Sequence, residues 1–282
     1  MSVTLYHFPK SAPSRTALLV ARALGLDVDV QIVDLATKEQ LKPDFVKINP
    51  QHTVPTLVDG DFILWESKAI AAYLVRTYAK DDTLYPKDPL KKALIDQRLH
   101  FDIGTLYPRI RAICFPVLYL GEIEIPDELR APLDEALGFL DVFLEGNNFV
   151  TGNTVTIADY ALAASVSSIV AVGWDVSPYA NVSSWLTKCA LDIPNYAEIN
   201  QKGADEFGKA VRSNITVLFN QQIFMQTKHV YVLCWVLSAM LVCFVIDIDM
   251  ESEYSDDDYV LNDNESVDIE DSGSDSSVIS DL

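Results

Sequence analysis

No cysteine occurs before Cys114 in this chain of 282 residues, and only four occur in all, at positions 114, 189, 234 and 243. Scattered in this way they form neither a disulfide framework nor a metal-ligand spacing. Histidine is equally sparse, and His7, His100 and His229 have no partner at ligand spacing. No metal is expected. Positive charge is short as well: 21 Lys and Arg stand against 41 Asp and Glu, a formal net charge of −20, which argues against nucleic acid as a partner. The deficit is local. Residues 247–282 hold 14 acidic residues and no basic one, and without them 27 acids face 21 bases. Such a composition reads as a disordered acidic tail that says little about the body of the protein. There is no internal repeat, and MSVTLYHFPK lacks the features of a secretory leader, so the folded part is expected in the cytoplasm with its thiols reduced.

Long apolar runs are missing too, with one exception. Val230–Ile246 is an uncharged stretch of 17 residues, about 25 Å as a helix against a hydrocarbon core of about 30 Å. It stands at the lower edge of what crosses a bilayer. Lys228 precedes it and only acidic residues follow, which by the positive-inside rule would keep the body cytosolic. A C-terminal anchor in an intracellular membrane, a segment folded back on the body, and a tail foreign to the natural chain all stay open.

What is present is concentrated in the first 80 residues. Val3–Phe8 reads as a strand, Pro13–Leu24 as a helix ended by Gly25, and Val28–Leu35 as the next strand. A helix over Lys42–Ile48 follows, then Val54-Pro55, a hairpin of Thr56–Val58 and Phe62–Trp65 turning at Asp59-Gly60, and an amphipathic helix from Glu66-Ser67 to Tyr78. This is the thioredoxin-like order. A redox protein of that fold needs a cysteine in the loop Pro9–Arg15, and none is there. Ser11 stands in its place at a helix N-terminus. A hydroxyl cannot exchange electrons, but it can hydrogen-bond a thiolate supplied by another molecule. A cis Pro55 would leave the main chain of Val54 facing outward to pair with an extended peptide. The helix start near Glu66 suits a carboxylate. Together these describe a pocket for a small anionic peptide.

Five segments in order, SAPSR at Ser11–Arg15, LKPDFVKINPQHTVPTLVDG at Leu41–Gly60, WESKAIAAYLV at Trp65–Val75, DTLYPKDP at Asp82–Pro89 and TIADY at Thr156–Tyr160, carry a resemblance. Over about residues 2–212 the chain resembles an insect glutathione S-transferase of the delta/epsilon type. The resemblance implies that glutathione is the co-substrate, with no permanently bound cofactor, and that the protein is a homodimer conjugating glutathione to small hydrophobic electrophiles. It implies that Ser11 donates a hydrogen bond to the glutathione thiolate, that His52 and Val54, beside cis Pro55, hold the tripeptide backbone, and that Glu66 and Ser67 grip its γ-glutamyl end. Lys68 occupies a position where relatives often have Arg. Gln40 stands where the family usually has His, and its amide can still donate to the glycine carboxylate. Arg111 matches an active-site arginine of epsilon-type members. A free thiol titrates near 8.5; lowering it by about two units is worth roughly 2.7 kcal/mol, within reach of one charge-assisted hydrogen bond and a helix dipole.

From Pro89 onward no strand pattern appears. Helical runs are expected at Leu90–Tyr119, Asp127–Glu145, Thr156–Val172, Tyr179–Cys189 and about Asn195–Glu206, with the linker at Ala79–Asp88. The fold expected is therefore an α/β thioredoxin-like domain (residues 1–80) and an all-α domain (89–212), followed by the apolar segment (230–246) and the acidic tail (247–282). Pro108 and Pro116 should kink the first long helix and lean Tyr107, Arg111, Phe115 and Tyr119 over the thiolate site. Each of these residues also has an ordinary reading. Ser11 fits a simple helix cap, the aromatics fit core, and Arg111 fits a surface salt bridge. Thr156 and Asp159 fit a capping box, so Asp159 is read as structural. A glutathione S-transferase-like carrier or membrane-tethered adaptor without transferase activity is the second class of function.

Overall fold

A computed structural model describes residues 3–215. The segments 230–246 and 247–282, on which the anchor and tail readings fall, lie outside the described residues. Among the described residues no helix is long and apolar enough to cross a membrane.

The N-terminal half is built on strand β1 (Val3–His7), whose inward residues Val3, Leu5 and His7 alternate with half-buried ones, the period a one-sided sheet requires. It pairs in parallel with β2 (Val28–Ile32) and antiparallel with β3 (Thr56–Asp59), which pairs antiparallel with β4 (Phe62–Trp65). The sheet order is β2-β1-β3-β4. Helices α1 (Ala12–Ala23) and α3 (Ser67–Tyr78) seal it: Leu5, Leu57, Leu19, Ile70 and Leu74 are all fully buried, each contributing about 1.5–3 kcal/mol by the area it removes from water. The short α2 (Pro43–Ile48) connects the two halves of the unit.

Three local expectations shift. Strand β2 stops at Ile32 rather than Leu35. The hairpin turns at Gly60-Asp61, since Asp59 and Phe62 are still paired; Gly60 takes φ +60°, which glycine alone adopts without cost. The Asp59 carboxylate is instead occupied by the hydroxyls of Tyr73, at 2.7 Å, and Tyr78. The prolines in the first long helix act by widening it. Helix α4 (Pro89–Phe101) passes into π-helical turns at Asp102–Leu106, then α5 (Tyr107–Phe115), then a second π-helical stretch at Pro116–Leu120. A proline has no N–H for the usual i−4 carbonyl, and a wider turn re-spaces the remaining bonds.

Helices α6 (Arg130–Phe143), α7 (Ile157–Val172) and α8 (Ala180–Asp192) complete the helical half. Helix α7 is buried on almost every face, as a helix apolar all round must be. Its start is fixed by Asp159, whose carboxylate accepts from the N–H groups of Thr156 (2.8 Å) and Val150 (2.9 Å) and from Trp185 Nε1 (2.9 Å). Burial raises its pKa despite these bonds. The structural reading of Asp159 therefore stands. A last helix over residues 202–215 follows a π-helical turn at Tyr196–Gln201. Two glycines seat it. A side chain at Gly203 would collide with the Pro9 carbonyl, and one at Gly208 with the Ala171 backbone.

Candidate functional site

The strand register gathers the site. Tyr6, Thr56 and Trp65 lie side by side across β1, β3 and β4. At that one end of the sheet β1 leaves toward Ser11, β3 arrives from Val54-Pro55, and β4 leaves toward Glu66 and Ser67. The Val54–Pro55 bond is cis. Val54 is half-exposed, and its main chain makes no hydrogen bond among the described residues. Nearby, His52 is exposed at φ +46°. Glu66, at φ +72° and ψ 108°, precedes α3 without a capping side chain. A non-glycine residue held there costs on the order of 1–3 kcal/mol. Glu66 O accepts from Ile70 N, so the N–H groups of Ser67, Lys68 and Ala69 are the unpaired donors of the helix start.

Ser11 is the N-cap of α1, its Oγ accepting from Ser14 N at 3.3 Å. It also lines a cavity of about 310 Å³ together with Tyr107, Arg111, Phe115 and Tyr119. The capping role and the cavity position are thus held by one hydroxyl. Phe115 and Tyr119 stack with centroids 4.9 Å apart, and the Arg111 guanidinium lies 4.2 Å over the Phe115 ring. Burial pushes the Tyr107 hydroxyl up to about 12, so at neutral pH it is a neutral donor. The one described thiol in this cavity is Cys114, which burial also pushes up to about 12. It stays protonated, so a thiolate reacting here must come from a bound molecule.

Gln40 and Lys68, like His52, Val54, Pro55, Glu66 and Ser67, are not among the residues that line that cavity. Gln40 lies in a 3-10 turn (Glu39–Leu41), its Oε1 buried and without a partner. Lys68 Nζ forms an ion pair with Asp102 at 2.5 Å and lies 5.8 Å over the Tyr107 ring. Asp102 is fully buried, and its other oxygen has no partner. Nothing in the sequence marked Asp102, because its acceptor role depends on α3 and α4 meeting.

Arg15, the last residue of SAPSR, has a role that the motif does not imply. It is fully buried, and all five of its donors are used. Nε donates to Asn200 Oδ1 (3.0 Å); one terminal nitrogen donates to the carbonyls of Pro9 (3.2 Å) and Lys10 (3.1 Å), the other to the Ala164 carbonyl (3.0 Å) and the Ser168 hydroxyl (2.6 Å). All are neutral acceptors. Burial lowers its pKa to about 10, so it remains charged. His7 is held near 4 by burial and by the adjacent Arg15 charge, so its ring is neutral at pH 7. Arg15 thus fastens the loop that carries Ser11 to α7 and to the turn before the last helix. The sequence carries no signal for this role, since residues 14–21 of α1 are all buried and the partners lie in α7 and at Asn200.

Residues 1–76 match the family described as "Glutathione S-transferase, N-terminal domain". Glutathione S-transferase D7 of Anopheles gambiae is 44% identical over 217 residues, which is 76% of this chain and 99% of that protein. Among solved structures, glutathione S-transferase unclassified 2 from Bombyx mori is 53% identical with a TM-score of 0.73, covering 76% of this chain and 99% of that one. A glutathione transferase homologue from Drosophila mojavensis, solved with bound glutathione, is 42% identical with a TM-score of 0.72, covering 76% and 97%. A thioredoxin-like sheet without a cysteine in its first loop, a helix start and an unpaired main chain at one sheet end, and relatives matched over nearly their whole length lead to one assignment: the chain belongs to the insect delta/epsilon-type glutathione S-transferases.

Proposed function

We propose that the protein conjugates the thiol of glutathione to hydrophobic electrophiles. The observation that carries this is the shared cavity: Ser11, at the N-terminus of α1, borders the same space as Tyr107, Arg111, Phe115 and Tyr119. Glutathione lies extended against Val54, with Gln40 and His52 toward its glycine end and Pro55 shaping the turn beneath it. Its γ-glutamyl group meets Glu66, Ser67 and the free N–H groups of α3, while Lys68 is held through Asp102. The Ser11 hydroxyl donates to the sulfur, and the helix end adds its positive field. The thiolate then attacks an electrophile resting on the aromatic side of the cavity. Ser11 forms no bond to substrate. No residue is assigned to a metal or a permanent cofactor. In this reading residues 1–80 bind glutathione and residues 89–212 bind the electrophile.

Retention on immobilised glutathione, followed by conjugation of an activated aryl halide, tests the activity. Substituting Glu66 or Ser67 should raise KM for glutathione by about tenfold with a smaller effect on kcat, because the contact exists in ground and transition states alike. A fall in kcat at unchanged KM would refute the assignment.

The protein also forms a homodimer in this reading. Phe62, Ile63, Leu90, Leu94 and Ile103 expose apolar surface around α3 and α4, where Ala69, Ala72 and Phe101 add to it. A chain ending at residue 215 should sediment at twice its monomer mass at micromolar concentration; a monomer would contradict the proposal.

A further inference from the structure

The cavity beside Ser11 carries a charge imbalance. Its lining includes two cations, Lys10 and Arg111, and no acidic side chain. Among the described residues neither cation has a carboxylate within ion-pair distance. Each instead lies over a ring of the same cavity, Arg111 at 4.2 Å from Phe115 and Lys10 at 5.9 Å from Phe8. The acids whose charge reaches the cavity tyrosines are already engaged. Asp102, felt at Tyr107, is paired with Lys68, and Asp34, felt at Tyr119, accepts the Ala36 N–H. The rest of the wall is mainly apolar, with Tyr107, Tyr119 and Phe207 supplying further rings.

A guanidinium stacked on a ring is stripped of water on one face and still has its in-plane N–H donors free. A neutral electrophile offers those donors only uncharged acceptors. An electrophile with a negative group makes charge-assisted bonds with them while its apolar body lies on the rings. At about 310 Å³, the cavity is at the lower end of ligand pockets, which run to about 1,000 Å³, and has room for one substituted ring.

We propose that this site prefers electrophiles bearing a carboxylate or similar anion, held by Arg111 and Lys10, over their neutral counterparts. This rests on the transferase reading and names the substrate class of the same cavity. With an aryl enone the step balances simply. The glutathione sulfur bonds to the β-carbon, the alkene pair shifts to leave an enolate on the carbonyl oxygen, and the enolate takes a proton from water. Nothing leaves.

The test compares (4-acryloylphenoxy)acetate with its methyl ester, using the full chain at saturating glutathione, each rate divided by the uncatalysed rate of the same compound. The acid should be favoured in kcat/KM by about tenfold, and the preference should shrink as salt rises. Arg111→Gln and Lys10→Gln should each bring the ratio toward one, with Arg111→Lys keeping part of it. A ratio at or below one in the parent overturns the inference, and so does a ratio unmoved by either variant while KM for glutathione rises, which would give the cations to glutathione itself. If the ester is conjugated and the acid is not preferred, the transferase reading survives alone. If neither compound is conjugated, that reading fails and this inference with it.

Discussion

Replacing Arg15 with alanine should cost the folded protein about 3–5 kcal/mol, since each buried neutral acceptor left unpaired costs about 1–3 kcal/mol. The side chain is fully buried, and five acceptors on three distant segments depend on it. Its removal leaves the carbonyls of Pro9 and Lys10 unpaired and opens a hole in the packing, while the Ala164 carbonyl keeps the hydroxyls of Ser167 and Ser168. For a domain of this size such a loss lowers the unfolding midpoint by about 6–20 °C. Arg15→Lys should recover part of the loss, since an ammonium keeps the charge but offers three donors in place of a rigid fork of five. Calorimetry on parent and both variants decides the matter. An unchanged midpoint for the alanine variant would mean that water replaces the guanidinium without penalty.

Ser11→Ala should lower turnover at neutral pH by about ten- to a hundredfold, as expected for losing a hydrogen bond to a charged acceptor, about 1.5–3 kcal/mol. Glutathione affinity should stay within a few-fold. The sign with pH is fixed by the chemistry. The hydroxyl should favour the charged form, so in the parent the bound thiol should titrate below its free value near 8.5. Without the hydroxyl the pKa should climb back, and the rate deficit should be greatest below pH 8 and narrow above it. Stability should fall as well, by about 1 kcal/mol, because the same oxygen caps α1. Absorbance titration of the bound thiolate separates the two effects. A thiol pKa equal to the parent's would take Ser11 out of the chemistry and leave it a cap.

Much of this was readable in the chain. The sheet and its helices announce themselves through periods of two and 3.6 residues, because each half-buried element must present one apolar face. Ser11 at a helix N-terminus and Pro55 before the hairpin stand out by local pattern, whereas the roles expected of Glu66 and Ser67 rest on the family resemblance alone. The roles of Arg15 and Asp102 were not legible, since their partners lie as far away as Asn200 and Lys68 and exist only once the helices pack. The hairpin turn was misplaced by one residue for a similar reason: Asp59 looks like a turn former until Tyr73 and Tyr78 claim its carboxylate. The wall supplied by Phe207, Ala210 and Asn214 escaped notice because an amphipathic helix does not reveal what its inner face looks onto.

That last helix has a consequence for how the protein can change over evolutionary time. Gly203 and Gly208 press against the Pro9 and Ala171 backbones, while positions 207, 210 and 214 face the cavity. Attachment and lining are therefore carried by different residues. Substitution at the lining positions reshapes the space offered to an electrophile with the helix still seated, and the Ser11 loop is left as it was. Substitution at Gly203 would disturb that loop directly. Change at the lining positions can thus alter what fits the cavity without altering the loop that carries Ser11.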